Sequence, residues 1–141
     1  MNQSVSVVRL TLSRTQKTGL ALALVMTGVA VAMGAVGSHI VAHTYPEGAS
    51  TFAIALRYHT LHALGLVLLS LLASLWPRRL MMIVCGCFLV GSILFCGLLY
   101  LKSFGVLTAT GFWVPAGGLS LISGWLIWGS GALWQVLREP S

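Results

Sequence analysis

The sequence has no aspartate, and Glu47 and Glu139 are the only acids among its 141 residues. Two carboxylates so far apart leave no pair for general acid–base chemistry. The intramembrane Asp or Glu on which proton-driven carriers depend is missing as well. Charged residues of either sign make up 7 % of the chain, against roughly 25 % in ordinary globular proteins. A soluble fold of this size would need far more charge to cover its surface. Cysteine is scarce too. Cys85, Cys87 and Cys96 are odd in number and share one apolar run, so they form no disulfide framework. Helical spacing sends Cys85 and Cys87 to nearly opposite sides, and Cys85-Gly86-Cys87 reads as packing thiols rather than a soft-metal motif. There is no phosphate-binding glycine loop, no nucleophile elbow and no zinc-protease helix. These gaps point away from an enzyme.

What the chain has is hydrophobicity: 57 % apolar residues and 16 glycines, with a mean hydropathy of +0.95. The net charge is +6. Its basic residues lie between apolar runs, and no basic face with interleaved aromatics exists, which argues against nucleic acid as a partner. Four runs approach or exceed the roughly 20 residues needed to cross a hydrocarbon core. They predict an all-α, polytopic transmembrane four-helix bundle with helices over about 19–41, 52–75, 80–101 and 115–137. Residues 1–18 form a basic N-terminal segment, mildly amphipathic over 6–12, and 138–141 form a tail. The first run is much longer than a signal-peptide core of roughly 7–15 residues, so it reads as an uncleaved helix. Pro46 and Gly48 mark 42–51 as a loop. Trp76-Pro77-Arg78-Arg79 closes the second run in a tight antiparallel turn, and 102–114 form an apolar connection. Pro115 suits the first turn of the last helix.

Basic residues set the orientation. With the N-terminus inside, Arg9, Arg14, Lys17, Arg78, Arg79 and Arg138 fall on the inner side, against Arg57 and Lys102 outside. The positive-inside tendency predicts N-in and C-in in a bacterial inner (plasma) membrane. Tyr45, Trp76, Tyr100, Trp113 and Trp134 fall near helix ends as interfacial anchors. Trp125 and Trp128 fall near mid-membrane, where an indole N–H needs a partner on another helix or a water.

Helices in lipid associate through close backbone approach, which needs small residues. Ala23, Thr27, Ala30, Gly34 and Ser38 form one such stripe. Ser92 and Cys96, beside Gly91 and Gly97, form a second. Gly117, Ser120 and Gly124 form a third. The stripes suit contacts within the chain and contacts between chains equally.

One polar constellation stands out. His39 and His43 are four residues apart at the end of the first helix, and His59 and His62 are three apart near the start of the second. A short connection would bring the four imidazoles to one level near the outer face, with Tyr58 and Arg57 beside them. Imidazoles so placed suit a metal or haem site. They equally suit structural polar packing, or a proton or ligand path. Structural packing is the preferred reading, and no bound metal or cofactor is expected. Arg57 lies within snorkelling reach of the surface; pairing with Glu47 or with a partner's acid is the alternative.

Several segments together resemble a known family. Gly34-Ala35-Val36-Gly37-Ser38-His39 is similar to its Gly-Ala-Phe-Gly-Ala-His end of helix one. Tyr58-His59-Thr60-Leu61-His62-Ala63-Leu64 is similar to its Tyr-Gln-x-x-His-Ala-Leu start of helix two. Gly91 with Leu94-Phe95 and Leu99-Tyr100, Pro115-Ala116-Gly117-Gly118, and Gly124-Trp125 follow its order and spacing. The chain thereby resembles the domain-of-unknown-function 423 family of small bacterial membrane proteins, over about 19–133. The resemblance implies four transmembrane helices and no established activity. His39, Tyr58, His62 and Trp125 fall on family positions. His43 has no counterpart, and His59 stands where the family has Gln. Leu98 and Val114 replace Ser and Thr.

Three functions follow as expectations. The first is a non-enzymatic structural or accessory subunit, embedded in the bilayer, which packs on a larger membrane complex or on itself. The second is a metal- or haem-binding protein using the histidines. The third is an oligomeric channel or small carrier lined by Tyr58, His62 and Arg57.

Overall fold

A computed structural model describes residues 11–138. Arg9, Glu139 and the amphipathic stretch over 6–12, save its last two residues, lie outside them. Among the described residues the fold is all-α, with four helices long and apolar enough to cross a membrane: α1 (Arg14–Thr44), α2 (Pro46–Leu75), α3 (Arg78–Ser103) and α4 (Trp113–Arg138). Their outer faces are those of a membrane bundle, with Val31 72 % and Leu126 67 % exposed. Exposed apolar side chains on every helix need a lipid solvent.

The helices run beyond the apolar runs because polar end groups extend them. Ser13 and Gln16 form a capping box: the Ser13 hydroxyl accepts from the Gln16 N–H at 3.3 Å, and the Gln16 side-chain oxygen accepts from the Ser13 N–H at 3.0 Å. That starts α1 at Arg14. The stretch 42–51 is mostly helical rather than loop. Only Tyr45 breaks it, and Pro46 opens a single 3-10 turn, Pro46–Gly48, that leads into α2. Pro is compatible with a helix start because its missing N–H has no partner there in any case. Gly48 matters for a different reason: a Cβ on it would strike the Ser103 carbonyl. The α1–α2 corner thus sits directly on the end of α3. That end is a left-handed cap, with Gly105 at φ +72° and the Val106 N–H donating to the Leu101 carbonyl at 3.0 Å.

Consecutive helices are antiparallel neighbours: α1 packs on α2, α2 on α3, and α3 on α4. Ala23 and Ala30 turn inward on α1, so its stripe of small residues serves contact within the chain. Within the span, α3 and α4 approach closely. A Cβ on Gly117 would come within 2.6 Å of the Phe95 backbone nitrogen, and one on Gly91 would strike Leu121. Ser120 donates to the Cys87 carbonyl at 2.9 Å across the same seam. Beside it, Leu66, Leu69, Met81, Val84, Phe88 and Trp128 of α2, α3 and α4 make a core that Ala23 of α1 joins. Single π-helical turns interrupt α1 at Gly37–Val41 and α3 at Ser92–Gly97.

The glycine positions divide sharply. A Cβ at Gly117 meets backbone that cannot yield, so Gly117→Ala is expected to cost about 1–3 kcal/mol through overpacking. A Cβ at Gly86 meets nothing within 4 Å, and Gly86→Ala should change stability by less than about 1 kcal/mol. Unfolding of both variants in detergent micelles checks the contrast.

Candidate functional site

The buried polar centre of the bundle is His62, 2 % exposed on the inner face of α2. Its two ring nitrogens have different partners. Nδ1 lies 2.7 Å from the Tyr58 carbonyl oxygen, four residues back on the same helix. A carbonyl only accepts, so Nδ1 carries the proton. Nε2 lies 3.1 Å from the indole Nε1 of Trp125 on α4. An indole N–H only donates, so Nε2 is the bare acceptor. The network therefore assigns the neutral Nδ1–H tautomer and spends both nitrogens.

Aromatic rings surround this pair. Phe88 of α3 meets His62 edge-on at 5.3 Å between centroids and Trp125 at 4.9 Å. Tyr58, 40 % exposed, stacks on His62 at 6.1 Å and packs against Phe95. Gly65, one turn below His62, lets the Trp125 ring approach: a Cβ there would come within 3.1 Å of it. Trp128 continues the column, stacked on Trp125 at 5.8 Å and meeting Trp76 at 5.9 Å.

His59 is also buried, but it faces α3. Its Nδ1 is 3.3 Å from the Tyr100 hydroxyl. Phe52 packs on Tyr100 and Phe104, and Tyr45 packs on Phe104, closing this end of the bundle.

The other two histidines lie elsewhere, and the single level read from the sequence does not hold. In the antiparallel register Gly34 faces Leu56 and Gly37 faces Phe52. His39 and His43 therefore lie level with the beginning of α2, and both are exposed. His62 is 13 residues beyond Ala49, about 20 Å down the helix at 1.5 Å per residue. Among the described residues no group of three or more His, Cys, Asp or Glu side chains could hold a metal ion. A metal-binding histidine commonly donates Nδ1–H to a carbonyl and offers Nε2 to the metal; in His62 the indole occupies that lone pair.

Arg57 is exposed on α2, on the same stripe as Ile54, Leu61 and Leu64, which are 45–51 % exposed. Among the packing residues, Gly91, Gly117 and Gly124 sit in the α3–α4 seam. Gly34 has only the tip of Leu56 near it, and a Cβ at Gly97 would meet nothing within 4 Å. Ser38 is exposed, and its hydroxyl bonds back to the Gly34 and Ala35 carbonyls. Two polar ties lay outside the sequence reading. Gln16 donates to the Ser70 carbonyl at 3.3 Å, and Gln135 donates to the Leu75 carbonyl at 2.8 Å. An amide side chain at the edge of an apolar run was the available signal for both.

Trp125→Phe keeps a ring in place and deletes the donor to His62. It is expected to destabilise the bundle by about 0.5–2 kcal/mol, the range for interhelical hydrogen bonds in membranes. Nitrogen-15 NMR of labelled histidine in bilayers should show His62 with a protonated Nδ1 and a bare, hydrogen-bonded Nε2.

A family profile described as "Protein of unknown function (DUF423)" matches residues 33–118. No curated protein and no solved structure matches the chain. The matched segment carries the end of α1, all of α2 and α3 and the start of α4, with His39, Tyr58 and His62; Trp125 lies beyond it. The match covers more than half of the sequence, and the chain belongs to the DUF423 family of proteins of unknown function.

Proposed function

We propose that this chain is a non-enzymatic accessory subunit that associates with other membrane helices through the outer face of α1. One observation carries the reading. Among the four helices α1 is the least buried, and it leans chiefly on α2. Its inward stripe is used there, yet a second set of small residues, Gly28, Ala32 and Ala35, faces outward. A Cβ at Gly28 would meet nothing within 4 Å. In lipid a bare glycine gains nothing from its own fold. It does allow another backbone to come close, as in small-xxx-small helix pairs.

The interior supports this reading over the alternatives. His62, Trp125, Ser120, Gln16 and Gln135 spend their hydrogen bonds on one another or on backbone carbonyls. Among the described residues no group of three or more metal-ligating side chains forms, and both ring nitrogens of His62 are already bonded. Arg14, Lys17, Arg78, Arg79 and Arg138 gather at the end shared by the starts of α1 and α3 and the end of α4. Lys102 is at the other end. By the positive-inside tendency the basic end faces the cytoplasm, which makes the chain N-in and C-in in an inner membrane.

Gly28→Leu with Ala32→Leu changes two exposed positions. In a gentle detergent the native protein should migrate as a larger assembly and the double variant as a monomer of unchanged helicity. A native protein that is itself monomeric, both in detergent and by single-molecule counting in native membrane discs, would contradict the reading.

A further inference from the structure

A groove of about 330 Å³ opens at the basic end of the bundle, where α1 separates from α3. It exists because α1 packs on α2 and leaves the first turns of α3 uncovered on that side. Its rim is polar: Ser13 before α1, Ser74 at the end of α2, and Arg78 at the start of α3. All three are exposed. Below the rim it is lined by Leu69, Met81, Met82 and Cys85. Gly19 forms part of the wall, where a Cβ would come within 3.0 Å of the Ser70 hydroxyl. From Arg78 to Cys85 the groove follows seven residues of α3, about 10 Å of helix.

Among the described residues the charge around the rim is of one sign. Arg14 and Lys17 stand in the first turn of α1, Arg78 and Arg79 in the first turn of α3, and neither turn holds an acid. Cations there add to the positive end of each helix dipole rather than offsetting it. Among the described residues the one carboxylate, Glu47, is at the opposite end. An anion at the rim would relieve both repulsions, and Arg78 presents a planar fork suited to a phosphate. A free anion would have no use for the apolar trough beneath, and a bare hydrocarbon chain would have no use for the arginine.

We propose that this groove binds an anionic diacyl phospholipid. One acyl chain lies against Leu69, Met81 and Met82, and the phosphate sits at the rim on Arg78 between Ser13 and Ser74. Basic pockets between transmembrane helices recognise acidic lipid headgroups by this combination of cation and cleft. The site rests only on the membrane bundle and is independent of what α1 docks against.

Native mass spectrometry of the full chain, released from detergent with phosphatidylglycerol or with phosphatidylcholine of the same acyl chains, tests the site. The expected result is selective retention of one phosphatidylglycerol per chain. Arg78→Gln should weaken that retention about fivefold or more, while Arg79→Gln, the same loss of charge one residue outside the groove, should leave it within about twofold. Met82→Trp, at an exposed position, should displace the lipid by filling the trough. Inorganic phosphate in excess should not compete. Equal loss in the Arg78→Gln and Arg79→Gln variants would reduce the effect to general surface attraction and overturn the proposal. So would equal retention of both lipids, competition by inorganic phosphate, or undiminished binding in Met82→Trp.

Discussion

The hydrocarbon core of a bilayer supplies no hydrogen-bond partners, so a polar group inside it must find one in the protein. This chain satisfies that constraint in two ways. Part-buried hydroxyls bond back to their own helix: Thr27 to the Ala23 carbonyl, Thr60 to Leu56, Ser70 to Leu66. Side chains between helices bond across: Trp125 to His62, Ser120 to Cys87, Gln16 to Ser70, Gln135 to Leu75. The second set also fixes register, because each bond is made at only one offset of the helices. Gln16 and Gln135 lock the basic end, Ser120 the α3–α4 seam, and the imidazole–indole pair the middle. Among the described residues two buried groups, the Trp76 indole N–H and the Ser92 hydroxyl, have no partner. Both lie beside departures from regular helix, Trp76 at the α2–α3 turn and Ser92 at the π-helical turn of α3.

Close packing follows the same division. Gly91, Gly117 and Gly124 bring α3 and α4 together, and Gly65 admits Trp125 toward α2. The three helices α2, α3 and α4 share one aromatic core around Phe88, His62 and Trp125. In contrast, α1 is attached along one side. That asymmetry produces two surface features: an outward face of small residues on α1, and the groove where α1 parts from α3.

The four membrane helices were legible in the sequence because solvation by lipid is a property of composition: long uncharged runs admit no other solvent. Helix ends were less legible. A capping box at Ser13 and Gln16 and a proline-led turn at Pro46 prolong helices into stretches whose polarity and turn residues read as loop. The histidines show where sequence spacing stops being informative. Separations of three and four residues place His59 and His62, or His39 and His43, on one side of their own helices. The level of one pair against the other depends on where α1 ends and α2 begins, and only Tyr45 separates them. The demand of Trp125 for a partner was readable from its mid-membrane position. That the partner is His62, 63 residues earlier, depends on how α4 packs against α2, which no local pattern encodes.

The polar interior of this bundle is organised around one buried pair, the His62 imidazole at 2 % exposure and the Trp125 indole. Hydrogen–deuterium exchange of the protein in lipid nanodiscs, followed by NMR of labelled tryptophan and histidine, tests it most directly. The account predicts that the Trp125 indole and His62 Nδ1 protons persist long after the exposed end tryptophans, Trp113 and Trp134, have exchanged. Exchange of Trp125 as fast as that of Trp113 would mean that water reaches the centre, and this account of the interior would be wrong.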